Sequence, residues 1–481
     1  MNKTGLIAII VVVVVVVAGL GVYFGVFYHP APAKLKLTVW GSGSAGGESN
    51  TFNATLAQFE KMYPNVTISD SPAINVASTT FLTAAKSGTA PDVYRDTSDN
   101  AGVLYSSGLI MNLKPLLNTT YISGFTSGTI ADWTLNGALY GIPVNTNGIG
   151  LYMNLALLPK SANGTPIPPG NIYQMIQDAK NVSAKGSKYL GLPYAVGADS
   201  GYRYPAFLAM YNGTLFQQVN STTYLPTMNS TANLKTMNFL WNLTKNGVDS
   251  TSLSTSSGVA PEQSYFESNH SVFMLDGPWD QSSYIAKLGV KNLGVEAIPY
   301  NNATHAWPRP IWGSVGWVIS TPAASGITSA QQWIALKFVE FMTNENAQIQ
   351  YFKNAGDFPS LISAGKAINS NASLRASDPL ISGWLEQEQH TQIQPNFVQM
   401  NYYWSNFHVG ASNLWANSSK LGSDPVNKVM NQIQSGIISS LTAAGLPSVS
   451  VAATFSSKSA QPNWSQQTFL VADNWVLPKL Y

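Results

Sequence analysis

Strand-length apolar segments alternate with helix-length amphipathic ones through the first hundred residues, and that rhythm leaves this chain few architectures. Residues 35–40 alternate apolar and polar side chains, the period of a half-buried strand. A glycine-rich turn, Gly41-Ser42-Gly43-Ser44-Ala45-Gly46, follows. Next come a predicted helix over 51–63, a second strand over 66–69, a helix near 79–86, a short strand at 91–94 and a helix carrying Leu104 to Leu109. Strand, helix and strand in this order give a parallel sheet flanked by helices, so the fold class is α/β. Later segments read as strands at 138–144, 149–153, 272–275, 294–298 and 314–320. Helices are expected at 173–182, 204–210, 234–245, 331–342, 404–415 and 425–441. No internal repeat is visible. Past about residue 453 the periodicity weakens, although Trp464, Phe469, Trp475 and Leu477 point to a tail that packs down.

At 481 residues the chain is too long for one ordinary domain. Charged residues make up only 10% of it, against about 25% in a typical soluble domain. Lys and Arg number 25 and Asp and Glu 23, with no long run of either sign, so a phosphate-neutralising nucleic-acid surface is not expected. Cysteine is absent. That excludes disulfides, thiolate metal sites, a thiol nucleophile and a cysteine-linked lipid anchor. The five histidines (His29, His270, His305, His390 and His408) are scattered and lack metalloprotease spacing. Neither a metal nor a cofactor is expected.

Uncharged polar residues must then form the surface. Fourteen Asn-x-Ser/Thr sequons lie beyond the N-terminal segment, starting with Asn53 and ending with Asn463. Their density favours a glycosylated outer-surface protein, although Asn- and Thr-rich sequence produces some by chance. A surface with few carboxylates also hardly titrates in acid, which points to an acidic external medium.

At the N-terminus Lys3 precedes an apolar run over 6–28 that includes Val11 through Val17. The run has the length of a bilayer-spanning helix, with Lys3 cytoplasmic and the bulk of the chain outside. It is long for a cleaved signal, so residues 1–30 read as a transmembrane or signal helix that holds the protein at the membrane. Lys3-Thr4-Gly5 loosely resembles an archaeal pilin-type leader. His29-Pro30-Ala31-Pro32-Ala33 reads as a short stiff spacer, so that 31–34 is a linker.

Several ordered segments resemble family-1 extracellular solute-binding proteins, the maltose-binding type that serves ABC importers. They are Lys36 to Trp40 with its Gly/Ser loop, Gly88-Thr89-Ala90-Pro91-Asp92-Val93, and Tyr140-Gly141-Ile142-Pro143 running to Asn154. They continue with Phe273-Met274-Leu275-Asp276-Gly277-Pro278-Trp279, Gly316-Trp317-Val318-Ile319-Ser320, Asn354-Ala355-Gly356-Asp357-Phe358-Pro359 and Tyr402-Tyr403-Trp404. The resemblance covers residues 35–450. It implies a two-lobed periplasmic-binding-protein-like fold with the ligand cleft between the lobes. One lobe would hold 35–144 and 312–356, the other 149–300 and 360–455, with 456–481 a C-terminal extension. It further implies capture of a soluble sugar, of the maltose or trehalose type, and delivery to ABC permease subunits on the outer face of the membrane.

A sugar offers apolar C–H faces rimmed by hydroxyls, so its site needs aromatic platforms and polar groups. By resemblance, Trp279 and Trp404 stack sugar rings. Tyr202 and Tyr204, in Tyr202-Arg203-Tyr204-Pro205, line the cleft. Asp99, seven residues after Asp92, grips hydroxyls through charge-assisted hydrogen bonds. Ser42, Ser44 and Glu48 belong to the first loop, Asn145 and Asn147 to a crossing segment, and Trp312 resembles a further contact or a core residue. Asp96 stands where maltose-binding relatives carry a Trp.

Other classes remain open at this stage. The Gly41–Gly46 turn formally fits a dinucleotide fingerprint but lacks a convincing acidic residue after the second strand. A glycosidase would need two facing carboxyls, and Asp276 and Asp280 are the tempting pair. The leader and the sequons also suit a membrane-anchored structural surface glycoprotein or filament subunit.

Overall fold

The computed structural model describes residues 34–41, 46–71, 78–194, 196, 200–220, 223–255 and 260–447. The apolar N-terminal run, Ser42, Ser44 and the aromatic tail lie outside the described residues. Two sheets organise the rest. Ten strands build them: β1 (Leu35–Trp40), β2 (Val66–Ser71), β3 (Val93–Thr97), β4 (Ile142–Gly148), β5 (Gly150–Asn154), β6 (Phe273–Asp276), β7 (Leu293–Glu296), β8 (Ile311–Ile319), β9 (Phe358–Pro359) and β10 (Gln392–Ile393). The larger sheet runs β9-β4-β8-β3-β1-β2, with β10 beside the start of β8. The smaller runs β6-β5-β7.

The sequence rhythm leads to a parallel sheet, and the strands it covers do pair that way: β1 lies parallel to both β2 and β3. The rest of the large sheet corrects the expectation. β8 is antiparallel to β3 and β4, and β9 is antiparallel to β4. The reason is connectivity. β8 enters from the other sheet's half of the molecule, so no helical crossover within the large sheet fixes its direction.

The helices used below are α1 (Gly47–Met62), α2 (Ser78–Lys86), α3 (Ile172–Ser183), α4 (Ser200–Leu208), α5 (Thr231–Lys245), α6 (Gln281–Leu288), α7 (Ser329–Met342), α8 (Glu345–Ala355), α9 (Ile381–Glu388), α10 (Asn401–Asn417) and α11 (Pro425–Ala443). Local chemistry sets their ends. Thr328 and Gln331 close a reciprocal capping box at the start of α7. Asn171 accepts from the Tyr173 and Gln174 amides at the start of α3. Asp424 caps α11, whose first residue is Pro425.

One core surrounds the large sheet, with Leu37, Val39, Phe59, Tyr94, Trp317 and Phe338 buried together. A second joins α3, α4, α5, α10 and α11 through Met175, Phe207, Leu240, Trp415 and Ile433. A third packs the small sheet against α6 and α9 through Tyr152, Tyr284 and Trp384, and takes in Trp312, Phe352 and Phe358. The chain passes from the large sheet to the small one between β4 and β5 and returns between β7 and β8. Two α/β halves with their sheet ends turned toward a common crossing leave the ends of β1 and β3 and the start of β8 free to form one side of a cleft. Among the described residues no helix is long and apolar enough to cross a membrane.

Candidate functional site

Three aromatic side chains meet on the second half. Trp279 sits in the turn after β6, directly over Gly277. A Cβ on that glycine would lie 2.2 Å from the indole ring, so only glycine seats the ring there. The Tyr202 ring, on α4, lies 6.5 Å from that of Trp279 at 54°. Its hydroxyl donates to the Ile311 carbonyl at 3.2 Å, which fixes the ring against the crossing strand. Trp404, in the first turn of α10, packs over Gly201, where a Cβ would stand 3.3 Å from the indole. All three are half-buried at the margin of the second core. The buried Trp404 indole N–H has no acceptor among the described residues.

Carboxyl groups approach from the first half. Asp96 is the next-to-last residue of β3, which runs into a turn that holds Asp99. Asp96 accepts from the Thr97 amide at 2.8 Å and from Asn100 at 3.0 Å. Burial, and then the charge of Asp99, push its pKa up to about 7. Burial raises Asp99 as well. Asp132 accepts from the Ser314 hydroxyl at 2.7 Å, and burial pushes it up to about 8. Both Asp99 and Asp132 bear electrostatically on the Tyr202 hydroxyl, although the Asp132 side chain itself is buried. Sequence reasoning passed over Asp132. Its segment carries no motif, and the only signal was a carboxylate in an acid-poor chain.

Other expected contacts prove to be internal. Glu48, Asn145 and Asn147 are all less than a tenth exposed and belong to a buried network. Arg95 meets Glu48 at 2.6 Å. Asn145 donates to Glu48 at 3.3 Å and to Asp357 at 2.6 Å, and Asn147 donates to Asp357 at 2.7 Å. Burial, together with the adjacent Glu48 charge, raises Asp357 well above the usual carboxylate range. The network ties the start of α1 to β3, β4 and the approach to β9. It holds the crossing together, and its side-chain amides are already donors within it.

Tyr204 and Trp312 also depart from expectation. The Tyr204 ring is fully buried, and its hydroxyl reaches Asn233 at 2.9 Å. Tyr202 and Tyr204 lie two residues apart on one helix, so they project about 200° apart and only one can face the cleft. Trp312 is fully buried against Phe358 and over Gly148, where a Cβ would stand 2.6 Å from the indole. Both are core residues.

The carboxyl pair of the glycosidase reading does not face a gap. Asp276 is 2% exposed and accepts from the Tyr284 hydroxyl and the Gly277 amide. Asp280 accepts from Gln263 at 2.8 Å, and burial with the Asp276 charge pushes it up to about 8. The two flank the single turn that carries Trp279, whereas glycoside cleavage needs carboxyls flanking the scissile bond. Among the described residues, no group of three or more His, Asp or Glu is placed to hold a metal.

Comparison with known proteins agrees with this architecture. The model of the bacterial extracellular solute-binding protein family matches residues 54–376. The maltodextrin-binding protein of Bacillus subtilis (strain 168) is 24% identical over 363 residues, 73% of this chain and 78% of that one. The maltose/maltodextrin-binding domain from Bdellovibrio bacteriovorus, solved with maltotriose, superposes with a TM-score of 0.72 at 18% identity and covers 85% of this chain and 100% of its own. The maltose-maltodextrin binding protein of the thermoacidophilic bacterium Alicyclobacillus acidocaldarius gives 0.67 at 22% identity, covering 84% and 99%. A family-model match over more than half of the length, on a fold of two α/β halves, gives one conclusion: the chain belongs to the bacterial extracellular solute-binding protein family.

Proposed function

We propose that this protein captures a gluco-oligosaccharide between two closing lobes and hands it to the permease subunits of an ABC importer. The observation that supports the reading is the gathering of Tyr202, Trp279 and Trp404, half-buried, at the margin of the second half's core, with the carboxyls of Asp99 and Asp132 bearing on the Tyr202 hydroxyl. The aromatic faces cover sugar C–H surface, the Trp404 N–H donates to an oxygen, and the carboxyls take hydroxyls. The lobes are 35–144 with 312–356, and 149–300 with 360–455. A ligand touching both favours the closed state, and closure is the signal the importer reads. The relatives that bind maltodextrin and maltotriose support this substrate class.

Capture and release involve no bond-making, so the protein acts as a binding protein, without catalysis or cofactor. It works at the extracellular face, held by the N-terminal apolar segment. Of the fourteen sequon asparagines, thirteen fall in described residues; eleven of these are exposed and none is buried, which suits glycosylation. Buried carboxyls that hold their protons suit an acidic medium.

Calorimetric titration of the full chain in detergent with glucose, maltose, maltotriose and trehalose, at pH 3 and pH 6, tests the reading. Saturable binding of one oligosaccharide, abolished in Trp404→Ala, is expected. Silence across the panel at both pH values would reject it in favour of a structural surface glycoprotein.

A further inference from the structure

The cleft lies at the ends of β1 and β3 and the start of β8, and an exposed aromatic patch lies at the opposite edge, where β1 begins. Trp333 is 54% exposed and Met62 60% exposed. The Trp333 and Tyr63 rings meet edge to face at 6.4 Å, and Tyr63 in turn packs on Phe59 at 4.7 Å. The patch adjoins the start of the folded chain. Gln331, two residues before Trp333, donates to the Lys36 carbonyl at 2.8 Å. The Leu35 amide donates to Asn65, two residues past Tyr63, at 2.9 Å. Lys34, Lys36 and Lys61 stand exposed around it. Of the acidic groups on the neighbouring helices α1 and α7, Glu48 is buried with Arg95, Glu340 is paired with Lys337 at 2.7 Å, and Glu60 is exposed. The patch is therefore aromatic at its centre and net positive at its rim.

Chain length fixes how far this patch stands from the bilayer. Six residues, 29–34, separate the apolar run from β1, and fully extended they reach about 20 Å. Trp and Tyr prefer the headgroup layer, where one end of the ring is apolar and the other wet. Lysines near the surface are drawn to lipid phosphates. We infer that the Met62, Tyr63 and Trp333 patch with Lys34, Lys36 and Lys61 is a docking face for the headgroup layer of the membrane that holds the protein's own N-terminal segment. This rests on the anchoring reading above. Docked this way, the first half stands on the start of its sheet and the cleft at the far end stays open to incoming sugar.

The absence of cysteine makes a direct test possible. Met62→Cys and Val290→Cys, the latter an exposed position on the second half, each take one fluorophore in the full chain. The chain is reconstituted in vesicles of phosphatidylglycerol and phosphatidylcholine with a headgroup-nitroxide lipid, and flotation is measured first. The expected result is flotation with the vesicles, with quenching at position 62 and none at 290. Quenching at 62 should be lost on adding Trp333→Ser, and separately on adding Lys34→Glu with Lys36→Glu. Failure to float would overturn the anchoring and the docking face together. Flotation with equal quenching at the two positions would overturn the docking face alone. So would quenching at 62 that survives both sets of substitutions, or a label at 62 buried by a second copy of the chain.

Discussion

Gly277 offers a clean test of how the cleft is built, because its backbone tolerates alanine while the ring above it does not. Its φ and ψ are −101° and 177°, ordinary extended values. A Cβ there would meet two atoms of the Trp279 indole at 2.2 Å, so the ring must retreat by about 1 Å or more to reach normal contact. The ring is half-buried and can swing outward, which keeps the folding cost near the low end of overpacking, about 1 kcal/mol. The platform, however, loses its alignment with Tyr202. A displaced central aromatic anchor costs about 1–2 kcal/mol in binding, a rise of roughly 5- to 30-fold in Kd. Titration of Gly277→Ala with the bound glucan measures this, beside Trp279→Ala and the double variant. The two losses should not add, because the alanine acts only through the indole. Wild-type affinity in Gly277→Ala, or a further loss on adding it to Trp279→Ala, would refute the reasoning.

Three more outcomes follow from the buried groups. Asp96, Asp132 and Asp280 hold protons that the unfolded chain gives up near pH 4, since burial pushes them up to about 7, 8 and 8. The native state therefore binds more protons than the unfolded state between pH 4 and pH 8. Their contribution to stability is full below pH 4 and falls as pH rises through 7 to 8, so thermal unfolding should occur several degrees lower at pH 8 than at pH 4. Asp132→Asn, an uncharged isostere, should flatten that slope; an unchanged pH profile would contradict the assignment. Trp312→Ala should cost about 3–5 kcal/mol of stability in denaturant unfolding, because the residue is core. Arg95→Met leaves Glu48 buried without its cation and should cost about 3–5 kcal/mol by the same measurement, while Trp404→Ala costs far less.

The parts of this fold that could be read from the residues are those governed by near neighbours. Alternation in β1 and apolar spacing in α7 are local signals, and both elements lie within two residues of their expected bounds. Trp279 was singled out through the family resemblance of its segment, and the glycine beneath its ring is a contact that only the structure shows. What escaped depends on distance along the chain. Asn145 reaches Asp357 across 212 residues, and Trp133 and Asp132 meet Ser314 across more than 180. No periodicity encodes such pairs. For the same reason Asn145, Asn147 and Glu48, polar residues at a crossing, read as ligand contacts until their buried partners came into view. Tyr204 was grouped with Tyr202 by motif, and helix geometry separates them. The reversed direction of β8 was hidden too, because strand polarity depends on where the chain has been rather than on the strand's own residues.

Closure on a sugar is the central claim, and an inter-lobe distance measures it most directly. Lys86→Cys at the end of α2 and Lys245→Cys at the end of α5 are exposed and place one spin label on each half of a chain with no native cysteine. The account expects the distance between the labels to change saturably with an added gluco-oligosaccharide, and expects Trp279→Ala to abolish the change. A distance that stays the same while the sugar binds, or a change that persists without the Trp279 ring, would contradict it.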